Sequence, residues 1–202
     1  MYKIVIASNN QHKIKEISAL IPEEIVLVSL NEIGCFDDIP EESDTLEGNA
    51  LQKAEFVFNR YGLACFADDT GLEVDALDGK PGVFSARFSV DIAPYLSSEN
   101  RAGANMEKLL LLMQNKENRK AAFRTVICFI DEKGTPYYFE GKINGTILKV
   151  QKGLAGFGYD PIFVPDGYIE TFAEMSFEVK NQISHRALAT YKFITYLKTQ
   201  RF

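Results

Sequence analysis

The sequence predicts an α/β fold built on a mixed β-sheet, and three observations predict it. Short apolar runs at Lys3–Ala7, Ile25–Ser29 and Leu63–Ala67, the first two rich in β-branched residues, alternate with stretches of helical period. A turn signal, Glu132-Lys133-Gly134, stands between two long strand-like runs and predicts an antiparallel hairpin. The composition, 46% hydrophobic and 25% charged over 202 residues, is that of a globular chain long enough to bury a core.

Each element follows in chain order. Lys3–Ala7 is a buried strand that ends in polar residues, and Gln11–Leu20 is a helix with Ile14, Ile17 and Leu20 on one face. Ile25–Ser29 is the second strand. Asp44, with Glu47 three residues on, marks a helix start. The helix that follows carries Leu46, Ala50, Ala54, Val57 and Tyr61 on one stripe and stops at Gly62. Leu63–Ala67 is a strand running into Asp68 and Asp69. Asp78–Gly82 is a turn cluster, and Met106, Leu109, Leu110 and Met113 have helical spacing. Ala121–Ile130 is apolar on both faces except at Arg124 and Thr125, as in a strand covered on both sides. Past the hairpin, Tyr137–Lys149 is a strand and Gly153–Tyr159 a glycine-rich loop. A last helix runs from about His185 to Lys198, with Ala187, Tyr191 and Ile194 on one face. No linker or repeat divides the chain, so residues 1–202 are expected to form a single domain.

Charge and composition narrow the function classes. The net charge of −6 argues against a partner held by phosphate electrostatics alone, so no nucleic acid is expected. The three cysteines, Cys35, Cys65 and Cys128, stand far apart with no C-x-x-C, which predicts neither a zinc site nor a disulfide frame. The longest apolar runs, such as Leu109–Met113 and Val126–Ile130, are five residues, too short to span a membrane. The N-terminal run Ile4–Ala7 is too short for a signal peptide. A soluble cytoplasmic protein with reduced thiols is expected.

Chemistry concentrates in a few segments. Ser8–Lys13 (SNNQHK) follows a strand and opens a helix, where backbone amides and a lysine can bind an anion; a plain polar cap is the alternative. Glu41 and Glu42 precede a helix, and Asp68 and Asp69 follow an apolar strand. Adjacent acids there need donors, water or a cation to relieve them, unless they sit in a solvated turn. Asn49 and Lys53 are i and i+4 on one helix and share a face, although a snorkelling lysine accounts for Lys53 equally. In Gly156–Pro161 (GFGYDP), the glycines permit close backbone approach, and Phe157 and Tyr159 offer flat faces to a base. Lys180 with Ser184-His185-Arg186 can hold an anion or a base edge, or merely cap a helix. A ligand with several negative charges and a flat ring suits this set, and a nucleotide is the simplest.

With these segments in hand, the chain resembles the inosine/xanthosine triphosphate diphosphatases, which hydrolyse non-standard purine nucleoside triphosphates. The resemblance runs from about Lys3 to Leu197 and rests on five segments in order: Ile4–Lys13, Thr45–Ala54, Phe66–Phe88, Gly156–Phe163 and Phe172–Ala189. It implies an elongated two-lobed fold with a central mixed sheet flanked by helices, a cleft between the lobes, a homodimer and dependence on Mg²⁺. It implies that Ser8, Asn9, Asn10, Gln11, His12 and Lys13 bind phosphate. Glu41 and Asp69 would ligate the metal, Asp69 would be the general base, and Thr70 would touch substrate. Phe157, Gly158, Tyr159, Asp160, Lys180, His185 and Arg186 would bind the nucleotide, mainly its base. The acidic loop looks one residue shorter than in some relatives, which leaves Glu41 and Glu42 both open as the ligand. Gly48 carries no assigned role. Lys13 and Lys53 are the expected partners of the triphosphate.

Two other readings share these residues. Asp69-Thr70-Gly71 spells the D-T-G of an aspartic protease, but the chain has no second D-T-G or D-S-G to complete the pair. A nucleotide-binding protein without turnover is the other.

Overall fold

The fold was determined as a computed structural model that describes residues 2–97 and 101–200. In chain order, the elements are β1 (Tyr2–Ile6), α1 (Gln11–Ser18), β2 (Ile25–Val28), α2 (Leu46–Tyr61), β3 (Cys65–Val74), β4 (Pro81–Gly82), α3 (Arg101–Leu112), β5 (Lys120–Ile130), β6 (Pro136–Ile147), β7 (Phe163–Pro165), α4 (Phe177–Ile183) and α5 (His185–Thr199), with three short 3₁₀ turns. The seven strands form one sheet in the order β2-β1-β3-β5-β6-β7, with β4 paired to β3. β1 runs parallel to both β2 (Tyr2 opposite Ile25) and β3 (Val5 opposite Cys65). The β3–β4 and β6–β7 pairs are antiparallel, so the sheet is mixed as expected.

The chain divides into two compact units. The first comprises residues 1–69, 125–141 and 185–202, the second residues 70–124 and 142–184. Ile4, Ile6, Ile17, Phe66, Ile127, Phe129, Phe193 and Leu197 centre the core of the first, in which the Phe66 and Phe193 rings lie 5.0 Å apart. Leu72, Val74, Leu109, Phe123, Ile162, Phe163 and Phe172 centre the core of the second, with Phe123 edge-on to Phe163 at 4.7 Å.

Local sequence explains most boundaries. Asn10 caps α1 by accepting from the backbone N–H groups of His12 and Lys13. Gly62 ends α2 in the left-handed conformation (φ 65°), where its N–H reaches the Phe58 carbonyl. The Glu132-Lys133-Gly134 turn closes with the Gly134 N–H on the Asp131 carbonyl, 3.0 Å away.

Several expectations are corrected. The residue that caps α2 is Thr45, not Asp44: the Thr45 hydroxyl accepts from the Gly48 N–H at 3.0 Å. Asp68 and Asp69 lie in the middle of β3 rather than past its end. Tyr191 is not on the buried face of α5; that face carries Arg186, Ala189, Thr190, Phe193 and Leu197. The short elements α4, β4 and β7 were not legible as such. Ser176 caps α4 by accepting from Val179 N–H, and Ser184 closes it with its own N–H on the Lys180 carbonyl. No described helix is long and apolar enough to cross a membrane.

Candidate active site

In the first unit α1, the loop before α2, α2, β3 and the start of α5 gather seven charged side chains: Lys13, Glu16, Glu41, Lys53, Asp68, Asp69 and Arg186. The pleat of β3 sorts its two aspartates, because successive side chains leave a strand on opposite faces. Asp68 meets Lys13 Nζ at 3.2 Å and Arg186 Nε at 3.3 Å. Asp69 meets the α2 side: Asn49 Nδ2 donates to its Oδ2 at 3.0 Å, and Lys53 Nζ lies 3.6 Å from its Oδ1.

Lys53 joins the two halves of the cluster. Its ammonium is 2.5 Å from Glu41 Oε1 and also donates to the main-chain carbonyl of Asp68 at 2.8 Å. Of the two candidate acids in the loop, Glu41 therefore brings its carboxylate to the cluster, while Glu42 gives its backbone N–H to Gln52 Oε1 at 2.9 Å. Arg186 is wholly buried and clamps Glu16 as well as Asp68.

The two aspartates respond in opposite directions to this environment. Burial pushes the Asp68 carboxyl up, but Lys13, Arg186 and Lys53 together overcome it and hold it below the usual carboxylate range. Burial also pushes Asp69 up. Lys53, Lys13 and the Asn49 bond pull it back while Glu41 opposes them, and the balance leaves it raised. Burial would discharge Lys53, yet Asp69, Glu41 and Asp68 raise it, so it stays an ammonium. Arg186 is likewise kept charged against its burial by Glu16 and Asp68.

The rest of the predicted site falls into two groups. In the α1 loop, Asn9, Gln11 and His12 are exposed. Asn10 both caps the helix and takes Ser8 Oγ as the acceptor of its N–H, at 3.2 Å. In the second unit, Lys180 Nζ binds Asp160 Oδ2 at 2.6 Å and stands 5.1 Å from the centre of the Phe157 ring. The same Asp160 oxygen accepts from the Phe157 N–H at 2.8 Å, which folds the glycine-rich loop, Gly158 included, around one carboxylate. Phe157 keeps a partly exposed face, whereas Tyr159 does not. The Tyr159 ring is a core residue whose hydroxyl donates to the Ser85 carbonyl at 3.0 Å, so the expectation that it offers a flat face is corrected. Thr70 is half-buried in β3 and opens the second unit, one residue beyond Asp69. His185 is buried at the start of α5, so it and Arg186 belong to the first unit while Lys180 belongs to the second. Arg186, expected at the base, is buried and paired with Glu16 and Asp68.

Sequence reasoning missed Glu16. Glu16 sits one turn after Lys13 on the inward side of α1, beside Ile17, and a buried acid at that register was its only signal. All three thiols are buried and free. Burial raises those of Cys65 and Cys128 to about 12, which leaves them protonated and inert as nucleophiles. Among the described residues, no group of three or more His, Cys, Asp or Glu side chains is arranged to hold a metal unaided.

The sequence model of the Ham1 family matches residues 4–196. The chain belongs to the Ham1 family. It is 55% identical over 190 residues to the dITP/XTP pyrophosphatase of Porphyromonas gingivalis, covering 94% of each chain. It is 49% identical to the enzyme of that name from Flavobacterium johnsoniae, over 96% of this chain and 97% of the relative. Among solved structures, the Staphylococcus aureus Ham1 protein aligns with a TM-score of 0.86 at 37% identity, over 98% of this chain and 100% of that one. A Ham1 protein from Coxiella burnetii aligns with a TM-score of 0.87 at 33% identity, with the same coverage. Membership accounts for the fold, including the mixed sheet and its flanking helices.

Proposed function

We propose that the protein hydrolyses non-standard purine nucleoside triphosphates, those of inosine, deoxyinosine and xanthosine, to the monophosphate and pyrophosphate. The observation that carries this reading is the Lys53 ammonium held between the Glu41 and Asp69 carboxylates, in a chain of a family whose relatives are named dITP/XTP pyrophosphatases. A cation is already the natural occupant between those two acids. The donor set suits a divalent ion, which we take to be Mg²⁺: hard carboxylate oxygens, only two of them, as expected where phosphate oxygens complete the shell. Glu41 and Asp69 would hold it, and it would supply charge neutralisation at the phosphates.

The chain's own groups account for the remaining steps. Lys13 and Lys53 neutralise the triphosphate, and the first turn of α1 with Ser8 receives a phosphate. Asp69 orients a water molecule and accepts its proton. The water oxygen bonds to the α-phosphorus in line, and the bond from that phosphorus to the β-bridging oxygen breaks, which releases pyrophosphate. An aspartate is a weak base near neutral pH, and the burial that raises Asp69 works in favour of this role. Thr70 would touch substrate beside it. For the base, Phe157 supplies a flat face, and Lys180, Asp160, His185 and backbone groups supply the polar contacts. A carbonyl at the six-position would satisfy donors that an adenine amine leaves unpaired, at about 1–3 kcal/mol for each unpaired group. We also propose a homodimer working on the cytoplasmic nucleotide pool.

Pyrophosphate release from inosine triphosphate, measured beside ATP and GTP, tests the reading. Release is expected from inosine triphosphate far above the two controls, to stop with a chelator and to resume with Mg²⁺. Binding without release would leave a nucleotide-binding protein instead.

A further inference from the structure

Three successive residues of the acidic loop are held by three side chains on one face of α2. Lys53 takes the Glu41 carboxylate, Gln52 Oε1 accepts from the Glu42 N–H at 2.9 Å, and Asn49 Oδ1 accepts from the Ser43 N–H at 2.8 Å. The spacing i, i+3, i+4 puts all three on the same strip of helix. Gly48 belongs to this arrangement: a Cβ there would fall on the Ser43 hydroxyl, so the loop lies closer to α2 than a side chain would permit.

Asn49 differs from Gln52 in two respects. It is buried, and its amide has a second partner, donating from Nδ2 to Asp69 Oδ2 at 3.0 Å. The two bonds fix the amide's orientation, because the oxygen must face an N–H and the nitrogen a carboxylate. A single rigid group thus ties the loop that bears Glu41 to the strand that bears Asp69. It also takes one Asp69 oxygen, which leaves Oδ1 as the oxygen on the Lys53 side.

We infer that Asn49 is a positioning residue for the reaction: through its amide it sets the separation of Glu41 and Asp69 and selects Asp69 Oδ1 as the working oxygen. The inference rests on the function proposed above. A misplacement of about 1 Å at a reacting centre can cost about 10²-fold in rate while leaving remote binding contacts intact. The effect therefore belongs in kcat.

The test compares Asn49→Ala, Gln52→Ala and Asn49→Asp with the wild-type protein, assaying pyrophosphate release from inosine triphosphate. Calorimetric binding of the same nucleotide in a chelator runs beside it. Asn49→Ala removes the ties to both loop and strand, and Gln52→Ala removes a loop tie only. Asn49→Asp keeps the shape and the acceptor for Ser43 but cannot donate to Asp69. The expected result is a kcat lower by about 10²-fold in both Asn49 variants, with less than about threefold change in Gln52→Ala. KM and the chelator affinity of Asn49→Ala should stay within about threefold of wild type. Equal losses in Asn49→Ala and Gln52→Ala, a loss confined to KM, or wild-type kcat in Asn49→Asp would each overturn the inference. So would loss of the folded state in both Asn49 variants, which would assign the residue to stability alone. Absence of release from the wild-type protein would instead sink the function itself.

Discussion

At the scale of single residues, Asp68 and Asp69 make the sharpest contrast. They are chemically identical and adjacent, yet one is stabilised as an anion and the other is not. The lowered Asp68 carboxyl contributes stability that is fully present above the ordinary carboxylate range and is lost as pH falls through its folded-state value. The raised Asp69 carboxyl has the opposite sign: its contribution is present in acid and is lost as pH rises through its folded-state value. In chelator near neutral pH, Asp68→Asn should therefore destabilise the protein, by about 3–5 kcal/mol if Arg186 and Lys13 lose their shared partner. Asp69→Asn should stabilise it while cutting turnover at least ~10²-fold. Urea denaturation across acidic and neutral pH reads both: the Asp69 gap should close in acid and the Asp68 gap should narrow. Equal shifts of the same sign would show that the two environments do not differ as described. The sequence could pair these acids but not sort them, because it placed them past the end of a strand. Only the continuation of β3 to Val74 puts them on opposite faces.

At the scale of elements, α2 is where sequence and structure agree in substance and differ in register. Its apolar stripe and its Gly62 stop were legible, since both depend on residues within a turn of each other. Its start was misread. Asp44 and Glu47 have capping-box spacing, but Thr45 is the residue in extended conformation (φ −130°, ψ 151°) with its hydroxyl on the Gly48 N–H. Ser43 explains the difference, because its hydroxyl receives the Thr45 N–H at 3.2 Å and turns the chain one residue later. Thr45→Ala should cost about 1 kcal/mol in chemical denaturation, the usual value of a lost cap, whereas exposed Asp44→Ala should change little. Equal costs would return the cap to Asp44. The three missed elements, α4, β4 and β7, are seven residues or fewer and carry no full period of their own, so only contacts distant in sequence define them.

At the scale of the whole molecule, the alternation of strand-like and helical runs made the α/β class and its mixed sheet legible. Strand order was not readable from pattern: β1 lies between β2 and β3 because long-range pairing, not sequence order, decides neighbours. Charge is the other property that belongs to the whole chain. A molecule of net charge −6 repels a triphosphate at a distance, so under the proposed function binding would depend on the local cations Lys13 and Lys53 and on any cation that joins Glu41 and Asp69. In this structure Lys53 is engaged by those acids, which competes with its use on phosphate. A divalent ion on the carboxylates, as proposed, would release that competition. Nucleotide and ion should then stabilise the fold together more than the sum of each alone. A ligand at a hundred times its Kd adds about 2.7 kcal/mol to stability, so the shift is measurable by thermal unfolding. A non-hydrolysable inosine triphosphate analogue should raise Tm modestly in chelator and by several degrees more with Mg²⁺, and Glu41→Gln should abolish most of the Mg²⁺-dependent part. If analogue and ion act additively, or the Glu41→Gln protein keeps the full synergy, the two carboxylates are not the place where ion and polyphosphate meet.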